Sequence, residues 1–113
     1  MLPKEKRLVK SRDFDRVYQK GKRLHSKSFN LSYYSNRTHV TRIGVVAGKK
    51  YSKKAVARNK AKRVIRAVVQ DEYGMLKEGL DVVIFVKNTG AELGTSSFRR
   101  EWGEILAKGG LKK

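Results

Sequence analysis

Apolar residues fall into stretches whose spacing changes along the chain. Phe14, Val17 and Tyr18 share one face of a short helix over 11–20. Ser11 suits its N-cap, Asp13 lies in the first turn where negative charge favours the helix dipole, and Gly21 suits the stop. Over 28–34 the spacing becomes alternation. Phe29, Leu31 and Tyr33 point one way and Asn30, Ser32 and Tyr34 the other, which predicts a strand. A polar turn over 35–41 leads to a second strand over 42–48, expected to pair antiparallel with the first. Ala57, Ala61, Val64 and Val68 then recur at i, i+4, i+7 and i+11, predicting a helix with one buried stripe that runs to about Tyr73. Residues 80–86 are a nearly continuous apolar run of strand length, the composition of a strand covered on both faces. After a loop over 88–94, Phe98, Trp102, Ile105 and Leu106 mark a last helix ending at Gly109 and Gly110.

The predicted order is α-β-β-α-β-α, an α+β sandwich with helices packed on a small, mostly antiparallel sheet. Residues 1–113 are one domain, with 1–10 and 110–113 expected as flexible tails. The helix between the second and third strands implies a βαβ crossover, for which general statistics favour the right-handed form.

Charge changes the picture most. The chain carries 28 Lys and Arg against 10 Asp and Glu, a formal net charge of +18. No acidic residue lies between Asp15 and Asp71, and half of the residues from 49 to 66 are Lys or Arg. At about 100° per residue, Arg58, Asn59, Lys62, Arg63 and Arg66 are expected opposite the apolar stripe, with Lys60 at the margin. A charge run is often only a solvated face with non-specific affinity for nucleic acid. Here Arg and Asn are mixed, and like charges at i and i+4 (Arg58, Lys62, Arg66) cost stability unless a polyanion compensates them. The helix therefore reads as a nucleic-acid face.

Other chemistry is sparse. There is no cysteine, so disulfides and thiolate metal sites are excluded. His25 and His39 lack spaced partners, the acids are scattered singly, and no glycine spacing makes a phosphate loop. No apolar run approaches the roughly 20 residues that span a bilayer, and no signal peptide is visible; the expected location is cytoplasmic.

Arg58-Asn59-Lys60-Ala61-Lys62-Arg63-Val64-Ile65-Arg66 resembles the R-N-R-x-K-R-x-x-R signature of the protein subunit of bacterial ribonuclease P. The resemblance covers nearly the whole chain. Arg7-Leu8, Asp13-Phe14, Val17-Tyr18 and Gly21 are similar to the family's opening helix, Phe29-Asn30-Leu31 to its first strand, and residues 81–87 to the strand before the last helix. Lys60 stands where the family usually has Arg, the segment between Lys50 and Ala55 is one residue longer, and Ser52 replaces a common glycine. Ser32 takes a position often aromatic in the family, with Tyr34 on the same face as a substitute.

The resemblance implies an endonuclease subunit that helps remove the 5′ leader from precursor tRNA. Catalysis would belong to a separate RNA subunit using Mg²⁺, with no catalytic residue and no metal ligand in this chain. Lys49, Lys50, Lys53, Arg58, Asn59, Lys60, Lys62, Arg63 and Arg66 would bind that RNA. Phe14, Val17, Tyr18, Ser32, Tyr34 and Lys87 would line a groove for the single-stranded leader. The crossover would be left-handed, as in some ribosomal-protein and elongation-factor domains. The implied partners are the catalytic RNA and precursor tRNA, with no membrane and no obligate protein partner. Two other readings stay open on the residues alone: a structural ribosomal-type RNA-binding protein, and a basic DNA-binding protein, for which nothing suggests the half-site symmetry such proteins commonly need.

Overall fold

The computed structural model describes residues 2–113 and contains every element that the apolar pattern predicts. Helix α1 is Ser11–Lys20, β1 is Lys22–His25, β2 is Phe29–Ser35, β3 is Arg42–Val46, α2 is Ala55–Glu72, β4 is Leu80–Val86 and α3 is Thr95–Gly109. The additional strand is β1, which pairs antiparallel with β2 through Lys22↔Tyr33 and Leu24↔Leu31.

The sheet order is β1-β2-β4-β3. β4 lies between β2, with which it is antiparallel, and β3, with which it is parallel. The expected pairing of β3 with β2 is thus corrected. The crossover helix α2 returns the chain to the slot between them, and β4 takes both sets of backbone hydrogen bonds. A strand with a neighbour on each side and helices above and below has little solvent to meet, which explains its apolar run.

Alternation along the strands sorts side chains between two layers. Phe29, Leu31, Ile43, Val82, Ile84 and Val86 join Ala61, Ile65, Val68 and Val69 of α2 and Phe98, Trp102, Ile105 and Leu106 of α3 in the larger core. The Phe29 and Phe98 rings pack with centroids 5.0 Å apart. On the opposite face Val83 meets Val17 of α1 and Leu8, with Phe14, Tyr34 and Val46 packed at the edges.

The helix ends depart from expectation in one place. Ser11 is the first residue of α1 rather than its cap; Lys10 holds the N-cap position with no side-chain hydrogen bond. α3 ends as expected, with Gly110 in the left-handed region at φ 67° and the Leu111 N–H returning to the Leu106 carbonyl at 2.9 Å. Only glycine takes that conformation without steric cost.

Of the segments 1–10 and 110–113, expected as tails, Met1 lies outside the described residues and the rest is seated on the fold. Leu8 is buried and its N–H donates to the Ile43 carbonyl at 3.0 Å, so the N-terminal segment runs along the outer edge of β3. Leu111 is buried, and Lys112 bridges to Leu76.

Candidate nucleic-acid interface

α2 spreads its cations from the margin of its core, at Lys62, round to the side opposite it, at Arg63, and Arg58 alone departs to the buried side. Its buried residues are Ala61, Ile65, Val68 and Val69, so the stripe is centred nearer Ile65 than the four-residue pattern suggested. Ile65 follows Arg58 by seven residues, within about 20° of two full turns, so Arg58 lies along the buried side and not opposite it. Its guanidinium turns back on the preceding loop, where Nη1 donates to the Ser52 and Lys53 carbonyls at 3.0 Å each. Lys54 occupies the N-cap position with no capping side chain, so Arg58 organises the turn that leads into the helix.

The remaining cations are accessible. Asn59, Arg63 and Arg66 are exposed and Lys62 is half-buried. Lys49, Lys50 and Lys53 are exposed on the loop before the helix. Lys60 lies on the other flank, paired with Glu92 at 3.2 Å across exposed surface. The first turn of α2 carries no acidic residue, so nothing there offsets the positive end of the helix dipole. Lys62, Arg63 and Arg66, with the loop lysines, make a surface for phosphates.

The expected leader residues separate into three settings. Phe14 is half-buried and Tyr18 is 38% exposed, and they follow one another by one helical turn. The Phe14 ring lies on Gly44 of β3, where an added Cβ would sit 2.6 Å from it, so that glycine is the ring's seat. Burial raises the Tyr18 phenol above its ordinary pKa, and the charge of Arg23 on β1 opposes the shift. Val17 has no exposed surface and Ser32 is 5% exposed, so both are packing residues and neither offers area to a ligand. Tyr34 stands in the row of Asp81 and Arg42, and Arg42 contacts Asp13, not Phe14. Lys87 is half-buried, with Nζ donating to the Ser26 carbonyl at 2.6 Å.

Sequence reasoning missed several residues on this face. Asn30, Phe85 and Val46 form the next cross-strand row beyond Ser32, Val83 and Gly44, and all three are half-buried. Phe85 was hidden inside an apolar run; strict alternation from Val83 would have placed it on the α1 face. His25 extends the row onto β1, with Nδ1 2.8 Å from Asn30 Oδ1. Between α1, β3, α2 and the N-terminal segment lies a cavity of about 290 Å³ lined by Phe14, Gly44, Arg7, Leu8, Val69 and Arg66 among others, so Phe14 of α1 and Arg66 of α2 share one cavity. Among the described residues no three His, Asp or Glu side chains gather where they could hold a metal ion, and no helix is long and apolar enough to cross a membrane.

Comparison with known proteins agrees with this arrangement. Residues 2–110 match the family model described as Ribonuclease P. The chain is 38% identical to the ribonuclease P protein component of a Pseudanabaena species over 109 residues, covering 96% of this chain and 94% of the relative. It is 37% identical to that of a Synechocystis species over 111 residues, covering 97% and 90%. In fold it is similar to the ribonuclease P protein of Staphylococcus aureus, with a TM-score of 0.86 at 24% identity over 97% of this chain and 100% of that one. The Thermotoga maritima protein gives 0.80 at 26% identity, over 90% of this chain and 96% of its own. A four-stranded sheet carrying a cationic crossover helix, together with relatives matched along almost their whole length, leads to one conclusion: the chain belongs to the family of ribonuclease P protein components, which serve the 5′ processing of tRNA.

Proposed function

We propose that this chain binds the catalytic RNA of ribonuclease P through the loop and flank formed by Lys49, Lys50, Lys53, Asn59, Lys62, Arg63 and Arg66. In this reading it lays the unpaired 5′ leader of precursor tRNA along the sheet face beside Phe14 and Tyr18. One observation carries the reading: Phe14 and Arg66 line the same cavity, so a strand leaving the cationic flank of α2 meets an aromatic wall without crossing an acidic surface. Phosphates neutralised by Lys and Arg release their counterions, which supplies affinity without sequence preference. Rings stack on any base for about 1–3 kcal/mol each, which suits a protein that must accept many leaders.

The chemistry belongs to the RNA in this proposal. Mg²⁺ held by that RNA and the substrate supplies charge stabilisation and an activated water; the chain contributes binding and orientation in the cytoplasm, where precursor tRNA is processed. Arg58 supports the RNA face by shaping the loop before α2, and Lys60 joins it by releasing Glu92. Reconstitution tests the proposal. Adding the protein to a bacterial ribonuclease P RNA at low Mg²⁺ is expected to restore cleavage of precursor tRNA, and Phe14→Leu is expected to weaken binding of precursor with a leader of several nucleotides while mature tRNA binds as before. No restoration, or equal losses for both substrates, would remove the reading.

A further inference from the structure

α1 is 10 residues long, and helices shorter than about 12–15 residues are marginal on their own. Its orientation must come from what it is fastened to. Asp13 is 7% exposed and reaches the sheet through Arg42; Val17 is fully buried against Leu8 and Val83. Gly21, just past the helix, lies so close to β2 that an added Cβ would stand 2.5 Å from the Tyr33 carbonyl oxygen. Phe14 and Tyr18 each follow one of these fixed points by a single residue. Each ring is therefore swung about 100° from a place where the helix is held.

The fastening at Asp13 is polar and shared by three elements. Asp81 on β4, with 0% exposure, accepts Nε of Arg42 on Oδ1 at 2.9 Å and Nη2 on Oδ2 at 2.7 Å. Asn36 Nδ2 also donates to Asp81 Oδ1, at 2.8 Å. With Arg42 fixed in this way, its Nη1 points at Asp13 Oδ2, 3.4 Å away. Arg16 is 3.7 Å from the other Asp13 oxygen. The planar fork reaches the two carboxylates from separate nitrogens, with Nε and Nη2 on Asp81 and Nη1 toward Asp13, whereas a lysine ammonium offers all its donors from one atom.

We propose that Asp13 and Arg42 are positioning residues for leader recognition: the Arg42 guanidinium, clamped on Asp81, holds the first turn of α1 where Phe14 rests on Gly44 and the neighbouring sheet face is open to unpaired RNA. The proposal rests on the reading of Phe14 and Tyr18 as leader contacts. Neither Asp13 nor Arg42 touches the leader in it. Simple electrostatics predicts the opposite sign for Asp13, because removing an acid from a protein of net charge +18 strengthens its attraction for RNA. The two accounts therefore separate cleanly.

The test uses holoenzyme reconstituted with a bacterial ribonuclease P RNA and measures affinity for precursor tRNA against mature tRNA. Asp13→Ala leaves Arg42 paired with Asp81 but frees the helix, and is expected to lower the precursor-to-mature affinity ratio about fivefold, the low end of what stacking one base is worth. Affinity for the RNA subunit stays unchanged. Asp15→Ala, an exposed acid on the same helix, is expected to leave the ratio unchanged or raise it. If Phe14→Leu lowers the ratio and Asp13→Ala does not, or if Asp13→Ala tightens precursor binding, the positioning role is overturned while the leader reading stands. If neither variant moves the ratio, both fall. Should Asp13→Ala fold poorly, Arg42→Lys keeps a charge beside Asp81 and loses the fork; the same loss is expected, and an unchanged ratio overturns the proposal.

Discussion

Single residues carry disproportionate weight where they close turns, and Glu101 is the clearest case. It lies on α3 with 6% exposure and accepts Ser26 Oγ at 2.6 Å, the Ser28 N–H at 2.9 Å and Ser28 Oγ at 2.8 Å. One carboxylate thus fixes the turn between β1 and β2, whose Ser26 carbonyl in turn holds Lys87. Burial pushes the carboxyl pKa up, but the hydrogen bonds from Ser26 and Ser28, with help from the charge of Arg100, outweigh it and leave the group below its ordinary value. A pKa depressed on folding stabilises the native state above the unfolded value of about 4.3, and that stabilisation is lost as pH falls through the folded value. Glu101→Gln is therefore expected to cost about 1–3 kcal/mol near neutrality, the worth of hydrogen bonds to a charged group. In denaturant melts the gap from the parent protein should narrow as pH falls below about 4. A gap independent of pH would mean that the charge of Glu101 contributes nothing to the turn.

At the scale of elements, local pattern identified helices and strands well and their neighbours poorly. Period 3.6 marks α2 and α3, and period 2 marks β2, because each buries one side of a regular backbone. Which strand lies beside which depends on contacts far apart in sequence, so β4 entering between β2 and β3 was not readable from either. β1 was missed because Leu24 is the sole apolar residue among Lys22, Arg23 and His25; charged side chains are how an edge strand avoids further pairing. The cationic face was legible as a face, but a stripe drawn without Ile65 and Val69 rotated it and assigned Arg58 outward. The correction has a measurable consequence. Arg66→Ala is expected to weaken RNA binding, reduce the log–log salt slope by about one unit and leave the melting temperature unchanged. Arg58→Ala also removes the hydrogen bonds to Ser52 and Lys53, so it is expected to lower stability by about 1 kcal/mol as well. Equal melting temperatures for the two variants would show that the Arg58 contacts hold nothing in place.

Across the whole molecule, the charge is unevenly compensated. Five of the acids after residue 70 pair with cations away from the loop before α2: Asp71 and Glu72 both take Arg99, Glu78 takes Lys113, Glu92 takes Lys60 and Glu104 takes Arg100. Most of those groups are exposed, and such pairs are each worth about 0–1 kcal/mol. Among the described residues, none of Lys49, Lys50, Lys53, Lys62, Arg63 and Arg66 is paired with an acid, and the formal net charge is +18. Self-repulsion of that size opposes a compact state built on one modest core. Simple screening relieves part of it, since surface charges more than about 10 Å apart hardly interact at 0.1 M salt. A divalent anion can do more by occupying the cationic flank of the native protein, a site that the unfolded chain does not assemble, and so stabilise it by mass action. The free protein is therefore expected to melt at a higher temperature in sulfate than in chloride of equal ionic strength, followed by circular dichroism. Arg63→Ala and Arg66→Ala together should shrink the difference, because they remove part of the site and not merely part of the charge. Equal melting temperatures in the two salts would mean that native-state repulsion is screened without any anion being bound, and that the flank of α2 is not organised as an anion site before RNA arrives.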